Sequence, residues 1–439
     1  MLFLLDIILV VNLFLAYKFF KNFFAPAYLM GLGMLIASIV ATLHYEAWSM
    51  SDFSFVSVLI LGGCPFFFTI CCKFFSTILK KNNFTQKHTI HLEKVNWYAL
   101  EKFYIVSLFV FFVHTIYIYI SMKNFFQSST LSELMYARRL DFNSDETLFE
   151  LPFLSRQLSF IFNILSMTSV WLFFIIRIFF SKLTKQHVRI LYYVAILIIF
   201  RSIEGLLTGA RGNVLPILFW FIFFYIQLYY SSIGKFSISK KIYKRLIIVF
   251  VVIGLSFSSF SLFIGRNVEH IDNNYEMLSE YCGAQIKNFD ILLKRNFEST
   301  SGFGAHTFDG IYKRLFHIDV DLSSDMRRFE SVNGHILGNV YTQFANYYVD
   351  FGVFGSFVIV ILMALITTFI YNKSQILLCN PIAISTCVIV YCWIMFYIFL
   401  CFFAGQFTAT LISPLGIKYG IVSYLFLFFF KKILYAPKT

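Results

Sequence analysis

Charge is scarce in this chain. Asp, Glu, Lys and Arg make up only 13% of its 439 residues, against 59% hydrophobic. Soluble domains average about 25% charged residues. A soluble fold of one to three domains would need more charge to cover its surface. Lipid removes that need, because the outside of a membrane protein is itself apolar. Cysteine chemistry is also missing. Of eight Cys, Cys64, Cys71, Cys72, Cys379, Cys387, Cys392 and Cys401 lie in apolar runs, and only Cys282 sits in a polar segment. That placement argues against a disulfide framework, and no C-x-x-C has metal-site spacing. The N-terminus lacks the basic region of a cleavable signal peptide, and Asp6 interrupts its first apolar run, which therefore reads as a span. Internal repeats and low-complexity linkers are absent as well.

What fills the chain is apolar and aromatic, with 59 Phe and 26 Tyr. A span needs about 20 mostly apolar residues. Eleven stretches qualify, near 1–18, 25–44, 53–73, 102–122, 158–179, 190–208, 213–232, 246–264, 352–371, 380–402 and 410–430. The expected fold class is all-α, a polytopic transmembrane helical bundle of about 11 spans. Residues 1–264 hold spans one to eight, with an outer loop at 123–157. Residues 265–351 form a large, partly helical outer loop, and 352–439 hold the last three spans and the C-terminus.

Basic residues set the expected orientation. Assigning alternate connections to one side, from the loop after the first span, collects 21 of the 36 Lys and Arg there, with only Glu93 and Glu101 as acids. That side is the expected cytoplasm, which puts the N-terminus outside and the C-terminus inside. The net charge of +13 is then mostly a membrane anchor, and nucleic acid is not an expected partner. Arginine runs against this trend. Of 13 Arg, only Arg177, Arg189 and Arg245 fall inside. The outer ten are Arg138, Arg139, Arg156, Arg201, Arg211, Arg266, Arg295, Arg314, Arg327 and Arg328. Arg never loses its charge, and its planar fork grips phosphate oxygens in pairs. An anion site on the outer face is the functional reading; simple pairing with outer Asp and Glu is the bland one.

Within the large loop, Tyr275 to Phe297 has the apolar spacing of an amphipathic helix, lying on the membrane or capping a cavity. Ile311, Leu315 and Phe316 suggest a second, shorter helix. Few charges lie deep in the spans. The main exceptions are Arg201 and Glu204, three residues apart on one helix face, where each can neutralise the other.

Two segments carry more than composition. The first is Thr208-Gly-Ala-Arg211-Gly-Asn-Val-Leu-Pro, a glycine turn that presents Arg211 at the start of a span. The second runs Gly338-Asn-Val-Tyr341-Thr-Gln, then Tyr347-Tyr-Val-Asp350-Phe-Gly352 at the mouth of the ninth span. With the topology, these resemble the O-antigen polymerase family, the Wzy-type oligosaccharide repeat-unit polymerases. An Arg followed after ten residues by Gly, described for some members, occurs at Arg201 to Gly212 and at Arg327 to Gly338. The resemblance covers the whole chain as architecture and about 40 residues as motif.

The resemblance implies a GT-C-like bundle in the bacterial inner membrane and a reaction at its outer, periplasmic face. A glycan on undecaprenyl diphosphate is transferred to the non-reducing sugar of a new lipid-linked repeat unit, and the lipid diphosphate leaves. No cofactor and no metal are implied, and a chain-length-determining co-polymerase is an expected partner beside membrane lipids. The chemistry needs cations for the leaving diphosphate. Arg211, Arg266, Arg327 and Arg328 are the first candidates, with Arg201 and Arg156 next. It also needs a general base within reach of the acceptor hydroxyl. His335, Asp350 and Glu330 are the candidates, and His306 is a further one; Asp350 is equally placed to cap a helix or bind sugar. Tyr341 and Tyr347 are the candidate sugar-stacking residues, with an interfacial aromatic belt as the alternative, shared by Tyr348. An O-antigen ligase, or a flippase or exporter of the same lipid-linked glycan, are competing readings.

Overall fold

In a computed structural model, residues 1–79, 95–143, 148–207, 214–233, 274–295, 303–318 and 328–437 are described. The helices are α1 (Leu2–Phe20), α2 (Pro26–Leu43), α3 (Phe55–Leu79), α4 (Trp97–Phe126), α5 (Leu131–Asn143), α6 (Phe153–Phe179), α7 (Lys185–Leu207) and α8 (Leu215–Ile233). They continue with α9 (Asn274–Cys282), α10 (Ala284–Lys294), α11 (Gln343–Ser374), α12 (Thr386–Phe399) and α13 (Pro414–Leu434). A two-stranded antiparallel hairpin, β1 (Glu330–Val332) and β2 (His335–Gly338), stands before α11. Its turn is Asn333-Gly334, both residues at positive φ, the dipeptide such tight turns favour.

Eight helices among the described residues are long and apolar enough to cross a membrane. Seven of them, α1–α4 and α6–α8, coincide with the first seven expected spans. The eighth expected span, 246–264, lies outside the described residues. The remaining candidate, Gln343–Cys379, contains the ninth expected span. The tenth and eleventh are broken. Helix α12 tightens into a 3-10 turn at Leu400–Phe402, and a short helix, Gln406–Leu411, intervenes before α13. Irregular backbone inside a membrane segment is tolerated only where protein or a cavity satisfies it. The break is indeed buried, at Cys401, Phe402, Phe407, Thr408 and Ser413.

The chain divides into two compact units. The first comprises residues 1–83, 273–374 and 393–419; the second comprises 84–272, 375–392 and 420–439.

In the first unit α1, α2 and α3 pack on one another, and α3 packs along α11. Helix α11 is not one rod. Gly352 has φ 65° and ψ −166°, a conformation essentially confined to glycine. Gln343 Nε2 and Tyr347 Oη both donate to Met363 Sδ at 3.1 Å. A straight helix would hold Tyr347 and Met363 about 24 Å apart along its axis. The chain therefore turns back at Gly352, and 343–351 forms a half-helix folded against 353–374. The expected ninth span, 352–371, lies within the helical stretch 353–374 but for its first residue, and it is preceded by this reversal rather than by a simple mouth.

Segments from the large loop cap the same unit on the 44–54 connection between α2 and α3. Lys287 Nζ donates to the Ser49 carbonyl and Lys294 Nζ to the Asp52 carbonyl, both at 2.6 Å. Asn333 Nδ2 donates to Ser49 Oγ at 2.8 Å. Asp290 accepts from the Ser54 amide at 2.8 Å and from Ser57 Oγ at 2.7 Å, and pairs with Lys294 at 2.9 Å. The expected amphipathic helix differs in two ways. It breaks at Gly283 into α9 and α10, and α10 buries polar as well as apolar residues, including Gln285, Lys287, Asn288 and Asp290. Lys287 and Asp290 have partners in the platform below, Asn288 donates to the Leu337 and Val340 carbonyls, and Gln285 donates to those of Glu280 and Tyr281, so α10 is packed into the unit instead of lying on a surface.

Two expected effects follow locally. A Cβ on Gly283 would stand 2.6 Å from Val40 Cγ1 and 3.0 Å from the Ala41 backbone nitrogen. Gly283→Val should cost about 1–3 kcal/mol by overpacking, read as a lowered melting temperature of the purified protein. Burial alone would raise the Asp290 carboxyl, but hydrogen bonds from Ser57, Ser54 and Lys294 outweigh it and hold it below its ordinary value. A depressed carboxyl stabilises the fold above its unfolded value of about 4 and loses that contribution as pH falls through the folded one. The melting difference between wild type and Asp290→Asn should accordingly narrow on acidification below about pH 4. A constant difference would show that Asp290 is not ionised there.

In the second unit α7 packs on α4 and α6, and α6 on α8. Asn96 caps α4 by accepting from the Ala99 amide at 3.0 Å. Trp171 on α6 donates to the Pro381 carbonyl at 2.9 Å. Arg138 on α5 pairs with Asp141 at 2.5 Å and also donates to the Phe149 carbonyl.

Candidate functional site

The polar cluster of the first unit gathers three elements. Arg295 follows the last residue of α10 in an extended conformation, φ −83° and ψ 130°, which takes its side chain off the helix. Glu330 opens β1, and Tyr341 lies between β2 and α11. Arg295 Nη2 meets Glu330 Oε2 at 2.5 Å, and Tyr341 Oη donates to Glu330 Oε1 at 2.6 Å. Both oxygens of a buried carboxylate are thereby engaged. Tyr341 is held neutral: burial raises its hydroxyl first, and the Glu330 carboxylate raises it further. For Arg295, burial works against the charge, but the bond and charge of Glu330 outweigh it, so the guanidinium is held above its ordinary value. Arg295 Nη1 is shielded from solvent and makes no hydrogen bond. It is an oriented donor with one nitrogen left over, on a side chain 31% exposed.

The other candidates of this unit are dispersed around the cluster. Arg328 is exposed, and its carbonyl accepts weakly from Tyr341 Oη at 3.4 Å. His335 is exposed on β2. Asp350 accepts from the Thr307 amide at 2.6 Å and the His306 amide at 3.3 Å, tying the 303–308 turn to the half-helix. Asn346, one helical turn earlier, completes that tie by donating to the His306 carbonyl at 3.0 Å. Tyr347 is fully buried against Met363, and Tyr341 is buried beside Glu330, so neither offers a free ring face. Tyr348 meets the Phe289 ring at 6.3 Å.

The second unit holds Arg201 and Arg156. Arg201 and Glu204 pair at 3.5 Å, as their spacing predicts, and Arg201 Nε and Nη2 both reach Asn163 Oδ1 at 3.3 Å. Arg156 pairs with Glu150 at 3.2 Å, with the two side chains 50% and 65% exposed, a solvated contact. Arg211, Arg266 and Arg327 lie outside the described residues. Among the described residues no group of three or more His, Cys, Asp or Glu is placed to hold a metal ion.

Two features escape the sequence reading. Arg295 is one of ten arginines expected on the outer face, and nothing local singles it out; its partner Glu330 is 35 residues away. His114 lies in an apolar run of α4 with no motif around it. It meets Ser155 on α6 only because the two helices pack, with Nε2 2.9 Å from Ser155 Oγ.

No family model, curated protein or solved structure matches this chain. Helix length and hydropathy define its class: an all-α, multi-pass membrane protein.

Proposed function

We propose that the protein polymerises lipid-linked oligosaccharide repeat units of the O-antigen kind, as a metal-independent glycosyltransferase using a lipid-diphosphate donor. The observation that carries this reading is the conformation of the segment bearing the family resemblance. From Gly338 to Gly352 it runs out of the hairpin, past the Glu330–Tyr341 bond, and into a half-helix closed by Gly352. Discontinuous helices beside oriented polar groups are a recurrent setting for membrane substrate sites.

In this reading the chain makes about 11 spans of a GT-C-like bundle in the bacterial inner membrane. Its N-terminus is periplasmic, its C-terminus is cytoplasmic, and the capped face of the first unit is periplasmic, following the lysine bias. The substrate is an undecaprenyl-diphosphate-linked oligosaccharide, and a co-polymerase sets chain length. The acceptor oxygen forms a bond to the donor's anomeric carbon as the carbon–oxygen bond to diphosphate breaks. That electron pair leaves with the lipid diphosphate, and the hydroxyl proton passes to a base. Arg211, Arg266, Arg327 and Arg328 are the first proposed diphosphate ligands and Arg201 and Arg156 the next, each put forward singly, and the oriented Arg295 is a further candidate within the first unit. Of the proposed bases, Glu330 and His306 are buried and Asp350 is half-buried under the 306–307 amides, and His335 is the exposed one, which favours it as the group that meets a substrate.

The broken helices also favour a second reading, export of the same lipid-linked glycan, since transporters place substrates at such breaks. Deleting the gene in a host that makes O-antigen separates the readings. Loss of polymerase leaves lipopolysaccharide core carrying one repeat unit. Core alone would point to export or ligation and overturn the proposal.

A further inference from the structure

Helices α4, α6 and α7 of the second unit enclose a polar group of which the polymerase reading uses only Arg201. His114 and Ser155 are each 4% exposed and Glu204 is 3% exposed. Glu204 Oε1 accepts from Ser159 Oγ at 2.5 Å, a length typical of a hydroxyl bound to an ionised carboxylate. Its other oxygen accepts no hydrogen bond and has only Arg201 at 3.5 Å. An ionised carboxylate has roughly four acceptor sites to fill, so this one is under-supplied. Arg201 divides itself between Glu204 and Asn163 Oδ1.

His114 complements this deficit. Its Nε2 lies 3.2 Å from the Ser155 carbonyl, which only accepts, and 2.9 Å from Ser155 Oγ. A hydrogen on Nε2 satisfies both contacts. The lone pair is then on Nδ1, which is buried and makes no hydrogen bond. Ser155, which holds His114, and Ser159, which holds Glu204, are one turn apart on the same face of α6, so the ring and the carboxylate sit on adjacent turns. Among the described residues, the charged groups facing His114 are Glu204 and, behind it, Arg201, both from α7. From α6 it meets Ser155 and, at 5.2 Å, the uncharged ring of Phe162.

We propose that His114 and Glu204 form a proton-binding site within the membrane-spanning helices of the second unit. The proton adds to Nδ1, where the imidazolium is offset by the Glu204 carboxylate. Arg201 is then left to Asn163. Buried ionisable groups within membrane segments are costly, and one kept beside a carboxylate with a spare oxygen is poised to titrate. This inference does not rest on the polymerase reading and holds equally for an exporter.

The test is nitrogen-15 NMR of imidazole-labelled full-length protein in lipid nanodiscs, with the His114 signals identified by their loss in His114→Gln. The expected result is conversion from a neutral ring, protonated at Nε2, to an imidazolium within about pH 5 to 8. In Glu204→Gln the ring should stay neutral over that range. Ser155→Ala, which removes only a hydroxyl, should shift the His114 signals and identify them if His114→Gln does not fold. A His114 ring that keeps one neutral tautomer throughout, or that titrates identically without the Glu204 charge, overturns the proposal.

Discussion

Glu330→Ala is expected to destabilise the protein by about 3–5 kcal/mol, the usual effect of breaking a buried ion pair from one side. The change removes the acceptor of both Arg295 and Tyr341. Arg295 is then left with two nitrogens in want of a partner, since Nη1 already has none. Tyr341 loses the bond at 2.6 Å that fixes the entry to α11. Replacing both charges is expected to be far milder, because a buried pair exchanged for apolar groups of similar size is often neutral. Melting of Glu330→Ala, Arg295→Met and the double variant Arg295→Met/Glu330→Leu checks this. The double variant should melt above Glu330→Ala. If it melts lower, the pair is not the source of the effect.

The next largest effect is expected at Gly352. Its φ of 65° and ψ of −166° lie where a side chain meets its own backbone. Space is not the obstacle, since a Cβ there would touch nothing within 4 Å. The cost of Gly352→Val is thus one of conformation, on the order of 1–3 kcal/mol. A straightened chain cannot keep Gln343 and Tyr347 on Met363, so the half-helix should detach. Crosslinking a cysteine pair at 347 and 363 reads the hairpin directly. It should form in the wild-type background and fail in Gly352→Val. Crosslinking in both would show that the reversal does not depend on glycine.

What the sequence reveals depends on the range of the forces involved. The first seven spans are legible because an apolar run of 20 residues has one outcome in lipid. The breaks are not, because hydropathy is blind to backbone direction. The sequence puts residues 343–351 in the outer loop and starts the ninth span at 352, because hydropathy carries no sign of the half-helix or of the reversal at Gly352. The same holds for 400–413, where small residues such as Gly405 and Ser413 interrupt a run that stays hydrophobic. The Arg201–Glu204 pair is legible because helical spacing alone brings the two together. Glu330 with Arg295, and His114 with Ser155, are long-range contacts set by packing. A hairpin turn at Asn333-Gly334 has a local signal, since that dipeptide is a strong marker, yet it lies inside a loop whose strands are only three and four residues long.

The proposed transfer of a glycan from one lipid diphosphate to another repeat unit can be followed with the purified protein in nanodiscs, supplied with one lipid-diphosphate-linked oligosaccharide and no divalent metal. A polymerase gives products that lengthen by whole repeat units, with one lipid diphosphate released for each unit joined. Intact substrate moved across the membrane without lengthening, or transferred only to lipid A-core, would contradict the proposal.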